Sequence, residues 1–197
     1  MADNVPTPNL PVAPIQYEQR FQDQFANVLR LFFTNLVNKI NSPIFYASYF
    51  DTTTQTNPVA DAVNLFTFNS VKCEYQISRG TPKSKIYINN TGIYNFQFSV
   101  QLDKTAGGSA AVFIWPRING VNVSNLNSKV VIDSANSEFI VTKNFVLIVK
   151  NNDYFELAWQ SSDTDVVAAA SAAASNYSAI SSVILTVTWV SNYEANQ

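Results

Sequence analysis

Between Gly92 and Leu102, apolar and polar side chains alternate without a break. Tyr94, Phe96, Phe98, Val100 and Leu102 stand against Asn95, Gln97, Ser99 and Gln101. A period of two over that length predicts a strand with one face in a core and the other in water or an interface. Antiparallel sheets show this clean alternation, whereas strands of parallel sheets tend to be apolar on both faces. The aromatic residues fix the register, because a slip of one residue would bury every glutamine. Comparable short runs predict strands at 44–51, 62–68, 71–78, 84–89, 93–103, 110–118, 121–132, 137–149, 153–161 and 181–191. Asn119-Gly120, between Ile118 and Val121, is the signal of a two-residue hairpin turn with positive φ at both positions. Pro116 places its strand at an edge or a bulge, and Asn151-Asn152-Asp153 forms the turn into the run Tyr154–Trp159. Short strands in this number with no helix between them imply an all-β, two-sheet antiparallel sandwich or jelly roll.

A different period governs the amino-terminal part. Phe21, Phe25, Leu29, Phe32, Leu36 and Ile40 recur at steps of four and three, and Val28, Phe33 and Val37 widen the stripe. That spacing predicts one amphipathic helix from Tyr17 to about Ile40, ended by Asn41-Ser42-Pro43. Residues 1–16 carry Pro6, Pro8, Pro11 and Pro14 without periodicity and read as an extended arm. The expected organisation is therefore an arm at 1–16, an amphipathic helix at 17–43 and a jelly-roll domain at 44–197. Three phenylalanines on one helix face require burial against the chain's own sandwich, symmetry mates or another surface. The stripe is too short and too wide for a long coiled coil. Val166 to Ala174 is almost entirely valine, alanine and serine. Without bulky side chains it is expected not to anchor a core, but either to line a close subunit contact or to form a loop.

Composition narrows the function. Charged residues are 13% of the chain against 47% hydrophobic, about half the usual charged share, so packing against protein suits this surface better than steering an ionic ligand. The net charge of −2 gives no electrostatic reason to expect nucleic acid or anionic membrane as a partner. Cys73 is alone, which excludes an intrachain disulfide. The amino terminus shows no signal peptide and no apolar run reaches a membrane span, so the expectation is synthesis in a cytosol.

Catalytic chemistry finds few candidates. There is no histidine, which removes the usual nucleophile triad, the commonest general base and the commonest zinc ligand. The five glycines form no phosphate-cradling pattern. A carboxylate pair can hydrolyse a glycosidic bond, but nothing singles out a pair among Asp133, Glu138, Asp153, Glu156, Asp163 and Asp165. Asp163-Thr164-Asp165 has the alternating oxygens of a calcium loop without its glycine or distal glutamate. Aromatic residues are plentiful, among them Trp115, Trp159 and Trp189. At alternating strand positions they are core residues first. The expectation is a protein that is no enzyme, with no cofactor and no bound metal.

Gly92-Ile93-Tyr94-Asn95-Phe96-Gln97-Phe98 resembles the G-x-Y-x-F strand of the C1q/tumour-necrosis-factor-like jelly roll. Asn151-Asn152-Asp153-Tyr154-Phe155-Glu156-Leu157 resembles that family's later turn and strand. Trp115 with Asn119-Gly120-Val121, the run from Trp159 to Thr164, and the proline arm followed by a helix are similar to C1q-like proteins of tailed bacteriophages and other large DNA viruses. The resemblance covers roughly residues 44–191 and implies a ten-stranded jelly roll assembling as a homotrimer. Its core motif would be Gly92, Tyr94, Phe96, Phe98, Trp159 and Trp189. In viral members the amino-terminal segment anchors the trimer to a particle. Here that role would fall to Phe21, Phe25, Leu29, Phe32, Phe33 and Leu36. The resemblance thus implies a virion structural protein made in the host cytoplasm, a capsid decoration, cement or short-appendage subunit held to other virion proteins through residues 1–43. The alternative is the receptor-binding tip of a fibre or spike that contacts a host-surface glycan or protein. The sequence shows neither the collagen stalk nor the secretion signal of the cellular family, so the expectation is no complement- or cytokine-like role.

Overall fold

A computed structural model describes residues 7–12, 15–40 and 44–193 and divides the chain into two compact units, Met1–Ile44 and Phe45–Gln197. In the first unit, α1 spans Gln19–Ile40. Its start lies two residues later than the periodicity predicts, with Phe21 N–H closing the first turn on the Glu18 carbonyl at 3.1 Å. The expected helix stop at Asn41-Ser42-Pro43, and Pro6 and Pro14 of the arm, lie outside the described residues.

The second unit carries, in chain order, β1 (Tyr46–Asp51), β2 (Gln55–Thr56), β3 (Asn64–Leu65), β4 (Ser70–Tyr75), β5 (Ile77–Arg79), β6 (Ile86–Ile88), β7 (Gly92–Lys104), β8 (Ala110–Ile118), β9 (Val121–Asn122), β10 (Ser128–Ile132), β11 (Ser137–Val149), β12 (Tyr154–Ser161), β13 (Val166–Ala168) and β14 (Val183–Ser191). One sheet runs β4-β1-β14-β7-β11, with β13 and β2 continuing beside the far end of β7. The other runs β10-β8-β12-β6-β5, with β3 on β12 and β9 on β8. Every pairing is antiparallel. The chain winds between layers. The neighbours β7 and β8 enter opposite sheets, β10 and β11 return beside them, and β12 and β14 close the other flank of each. This is a two-sheet jelly roll, tied from end to end by β1 pairing with β14.

The alternation of β7 does what its pattern requires. Tyr94, Phe96, Phe98, Val100 and Leu102 are buried, and the intervening polar residues lie on the outer face. Phe96 stacks on Phe155 of the opposite sheet with ring centroids 4.2 Å apart, and Phe66 stacks on Trp159 at 5.4 Å. Each fully buried side chain of this size contributes about 1.5–3 kcal/mol, and an aromatic pair adds about 0.5–1.5 kcal/mol. The buried carboxylate of Asp51 is satisfied locally. It accepts from Thr53 N–H and Oγ1 on one oxygen, and from Thr67 Oγ1 and Asn69 N–H on the other.

Five sequence expectations are corrected. The run 71–78 is not one strand, because Gln76 takes φ 58° and the chain passes from β4 in the first sheet to β5 in the second. Pro116 does not mark an edge: β8 is interior, between β10 and β12. The proline falls after the β10 ladder ends at Ile114 and before the β9 ladder begins at Arg117, so its missing N–H interrupts neither of those ladders. The run 121–132 is two short strands, because Asn125 adopts φ 64° and breaks the extension. Only Asn64–Leu65 of 62–68 joins a ladder, although Phe66 and Phe68 are still buried. Val166 and Ala168 do enter the core, fully buried in β13 between β7 and β2, so this part of the small-residue segment is neither loop nor subunit lining. The Asn119-Gly120 turn has the expected positive φ values of 52° and 78°.

Candidate functional site

On the outer face of the first sheet, β7 contributes Asn95, Gln97, Ser99 and Gln101, and β14 contributes Thr186 and Thr188 beside them. This central band is amide and hydroxyl, with Asn144 Nδ2 donating to Asn95 Oδ1 across the β7–β11 ladder at 3.3 Å. β11 flanks it as a 13-residue strand that, among the described residues, pairs with β7 alone. Its odd positions Phe145 and Val149 are buried, whereas Ile140, Val146 and Ile148 at even positions stand 66%, 59% and 51% exposed. A strand apolar at both parities, on a sheet edge, is a surface that needs covering. Thr142 and Asn144 separate Ile140 from Val146 on this face, and Lys143, at the other parity, has its ammonium 5.3 Å from the Phe145 ring centroid and donates to the Leu126 carbonyl. Acidic residues of this face collect at one end, where Asp103 and Glu138 face each other in register.

At the opposite end an aromatic cluster forms where β1 begins. Phe45 meets Trp189 edge-on at 5.7 Å and Tyr75 at 6.3 Å, and Tyr46 meets Tyr75 at 6.2 Å. Gly92 is required here, because a Cβ on it would lie 2.8 Å from Trp189 Nε1. Of the residues expected to carry the core motif, Tyr94, Phe96, Phe98 and Trp159 are buried in the sandwich, while Gly92 and Trp189 meet at its end.

The helix residues fall as follows. Phe21 and Phe25 stack at 6.1 Å, and Phe32 and Phe33 meet edge-on at 5.5 Å. Phe21, Phe25, Leu29, Phe32 and Leu36 are half-buried, and Phe33 is 56% exposed. None of these six reaches full burial. No helix among the described residues is long and apolar enough to cross a membrane.

Four of the six candidate carboxylates, Asp133, Asp153, Glu156 and Asp163, are engaged in structure. Asp163 does not stand open as a calcium ligand: its Oδ2 accepts from Lys104 Nζ at 2.6 Å and its Oδ1 from Asp165 N–H at 3.0 Å. The lysine hydrogen bond, followed by the Asp165 amide, holds its carboxyl below the usual carboxylate range. Glu156 is buried with Arg117 Nη1 at 3.9 Å, Asp133 accepts from Ser109 Oγ, and Asp153 accepts from Asn119 Nδ2 and Lys150 N–H. Among the described residues no cluster of three or more histidine, cysteine or acidic side chains is placed to hold a metal ion. Burial pushes the Tyr94 phenol up to about 12. Burial, then the hydrogen bond to Glu74, drives Tyr49 higher still. Sequence reasoning missed Lys104 and the outward Ile140, Val146 and Ile148. The last three were visible as apolar residues at both parities of 137–149.

No known family matches the chain, and no curated protein matches it. Among solved structures, the globular domain of zebrafish complement 1qA protein is similar to it, with a TM-score of 0.49 and 13% identity over 78% of this chain and 100% of that one.

Proposed function

We propose that the protein is a virion structural protein, a homotrimeric capsid decoration, cement or short-appendage subunit. It associates through the outer face and edge of the first sheet and attaches to other virion proteins through residues 1–43. The observation that carries the self-association is β11, a long edge strand with Ile140, Val146 and Ile148 exposed beside a neutral polar band. Closing a ring of copies hides such an edge without leaving another one open. The apolar helix stripe supports the attachment. Phe21, Phe25 and Phe32 remain incompletely covered, and apolar side chains of this kind concentrate binding energy in an interface. The sequence resemblance to C1q-like phage proteins supports the virion setting, with synthesis in the host cytoplasm and residence on the particle surface. We assign no catalysis, no cofactor, and neither nucleic acid nor membrane as a partner.

The test is the protein inventory of virus particles from the source culture, followed by rebinding to particles stripped of this chain. The reading expects the chain in fixed stoichiometry. It also expects Phe25→Ser with Phe32→Ser to keep the sandwich folded while abolishing rebinding. Absence from particles, or undiminished rebinding of the double variant, refutes it.

A further inference from the structure

The outer face of the second sheet carries a groove of about 430 Å³, within the size range of small-molecule sites. Its floor comes from the β8–β12 ladder, in which Phe113 faces Gln160 and Trp115 faces Ala158. Ala158, opposite Trp115, is small and fully buried. One wall is the segment after the Asn119-Gly120 turn, which folds back so that Val123 N–H donates to the Pro116 carbonyl at 3.0 Å and Asn125 takes φ 64°. This wall supplies Asn122 and Asn127, and Val63 closes the opposite side.

The polar groups are poised and neutral. Trp115 Nε1 donates to Asn122 Oδ1 at 2.8 Å. The indole is only 7% exposed, so it fixes the amide from below and turns Asn122 Nδ2 into the available donor. Gln160 Nε2 donates to Asp61 Oδ1 at 3.3 Å, which leaves Gln160 Oε1 as an acceptor. Among the described residues, the charged side chains that meet these groups are one of each sign. Lys129 Nζ lies 5.6 Å from the Phe113 ring centroid, and Asp61 lies beside Gln160. Phosphate or nucleic acid requires a cationic lining, and these two charges do not make one. Apolar ring surface beside amide groups that donate and accept matches a sugar ring, whose C–H face is apolar and whose hydroxyls do both.

We propose that this groove binds a neutral pyranose glycan. Phe113 packs on the sugar's C–H face, while Asn122, Asn127 and Gln160 hydrogen-bond its hydroxyls. The inference goes beyond the assembly reading and does not rest on it, because every residue of the groove belongs to one chain.

The test uses the full-length protein and a panel of methyl glucoside, mannoside and galactoside, N-acetylglucosamine and their disaccharides. Binding is read by saturation-transfer NMR and tryptophan fluorescence, beside sialylated and sulfated sugars. The proposal expects saturable binding of at least one neutral sugar. Asn127→Ala and Gln160→Ala, both outside the core, should each weaken it by about two- to tenfold, with the thermal transition unchanged. No transfer to any neutral sugar at millimolar concentration overturns the proposal. So does binding that both variants leave intact, or a preference for the charged sugars. A trimer that binds no sugar would sink this inference alone, and a sugar-binding monomer would sink only the assembly reading.

Discussion

Replacing Gly92 with alanine isolates one contact on which the sandwich end depends. The added Cβ would lie 2.8 Å from Trp189 Nε1, 2.9 Å from Trp189 Cδ1 and 3.0 Å from the Ser191 carbonyl oxygen. The indole cannot simply swing aside, because Phe45 packs against it edge-on. The third atom is backbone, so β14 itself must shift where its register against β7 already breaks, between Trp189 and Ser191. Overpacking of this kind costs about 1–3 kcal/mol. In a chain of this length each kcal/mol moves Tm by about 2–4 °C, so the expected loss is about 2–12 °C. Urea and thermal unfolding at one fixed protein concentration measure it, since self-association makes Tm depend on concentration. Gly107→Ala is the control: nothing lies within 4 Å of its Cβ, and it should be neutral or slightly stabilising. Trp189→Phe removes the nearest atom, so in a double-mutant cycle the Gly92→Ala penalty should shrink in that background. A Gly92→Ala protein within about 0.5 kcal/mol of the parent, the range of ordinary surface changes, would refute the steric reasoning.

Two more predictions concern buried ionisable groups. Tyr49 donates to Glu74 Oε2 and the Ile77 carbonyl, and Tyr94 to the Asn90 carbonyl. In an alkaline absorbance titration these two of the nine tyrosines should stay protonated through the ordinary range near 10. Because their folded pKa values are raised, the stability they contribute is full below pH 10 and declines as pH rises beyond it. Lys104 is fully buried while Asp163 is 24% exposed, so Asp163→Ala, which strands an ammonium in the interior, should lower the urea midpoint more than Lys104→Met does. The carboxyl's depressed pKa means that its contribution is present above the ordinary 3.8 and disappears as pH falls below it.

β7 was legible because parity and burial agree in it. β8 and β11 fill their predicted bounds although apolar residues occupy both parities, because turn residues close each run, and β7 exceeds its predicted 93–103 by one residue at each end. β2 and β13, of two and three residues, carry no measurable period and were not read. Lys104 shows two signals in conflict. It continues the inward parity of Tyr94 through Leu102, yet its charge argues for solvent. Parity prevails because Asp163, 59 residues away, meets the ammonium at 2.6 Å. The groove was invisible for a similar reason. Phe113, Trp115, Asn122 and Gln160 come together only through the β8–β12 register and the turn at Asn119-Gly120, and no local motif marks them.

The most direct test of the account is the light-scattering mass of the purified full-length chain beside the segment 44–197. The second unit has its own closed core, so it should fold alone and assemble through the first sheet. The account predicts that both have three times their chain mass, which for the full-length protein is three times 21.9 kDa. Monomers in both cases would contradict it, as would a trimer that exists only when the helix is present.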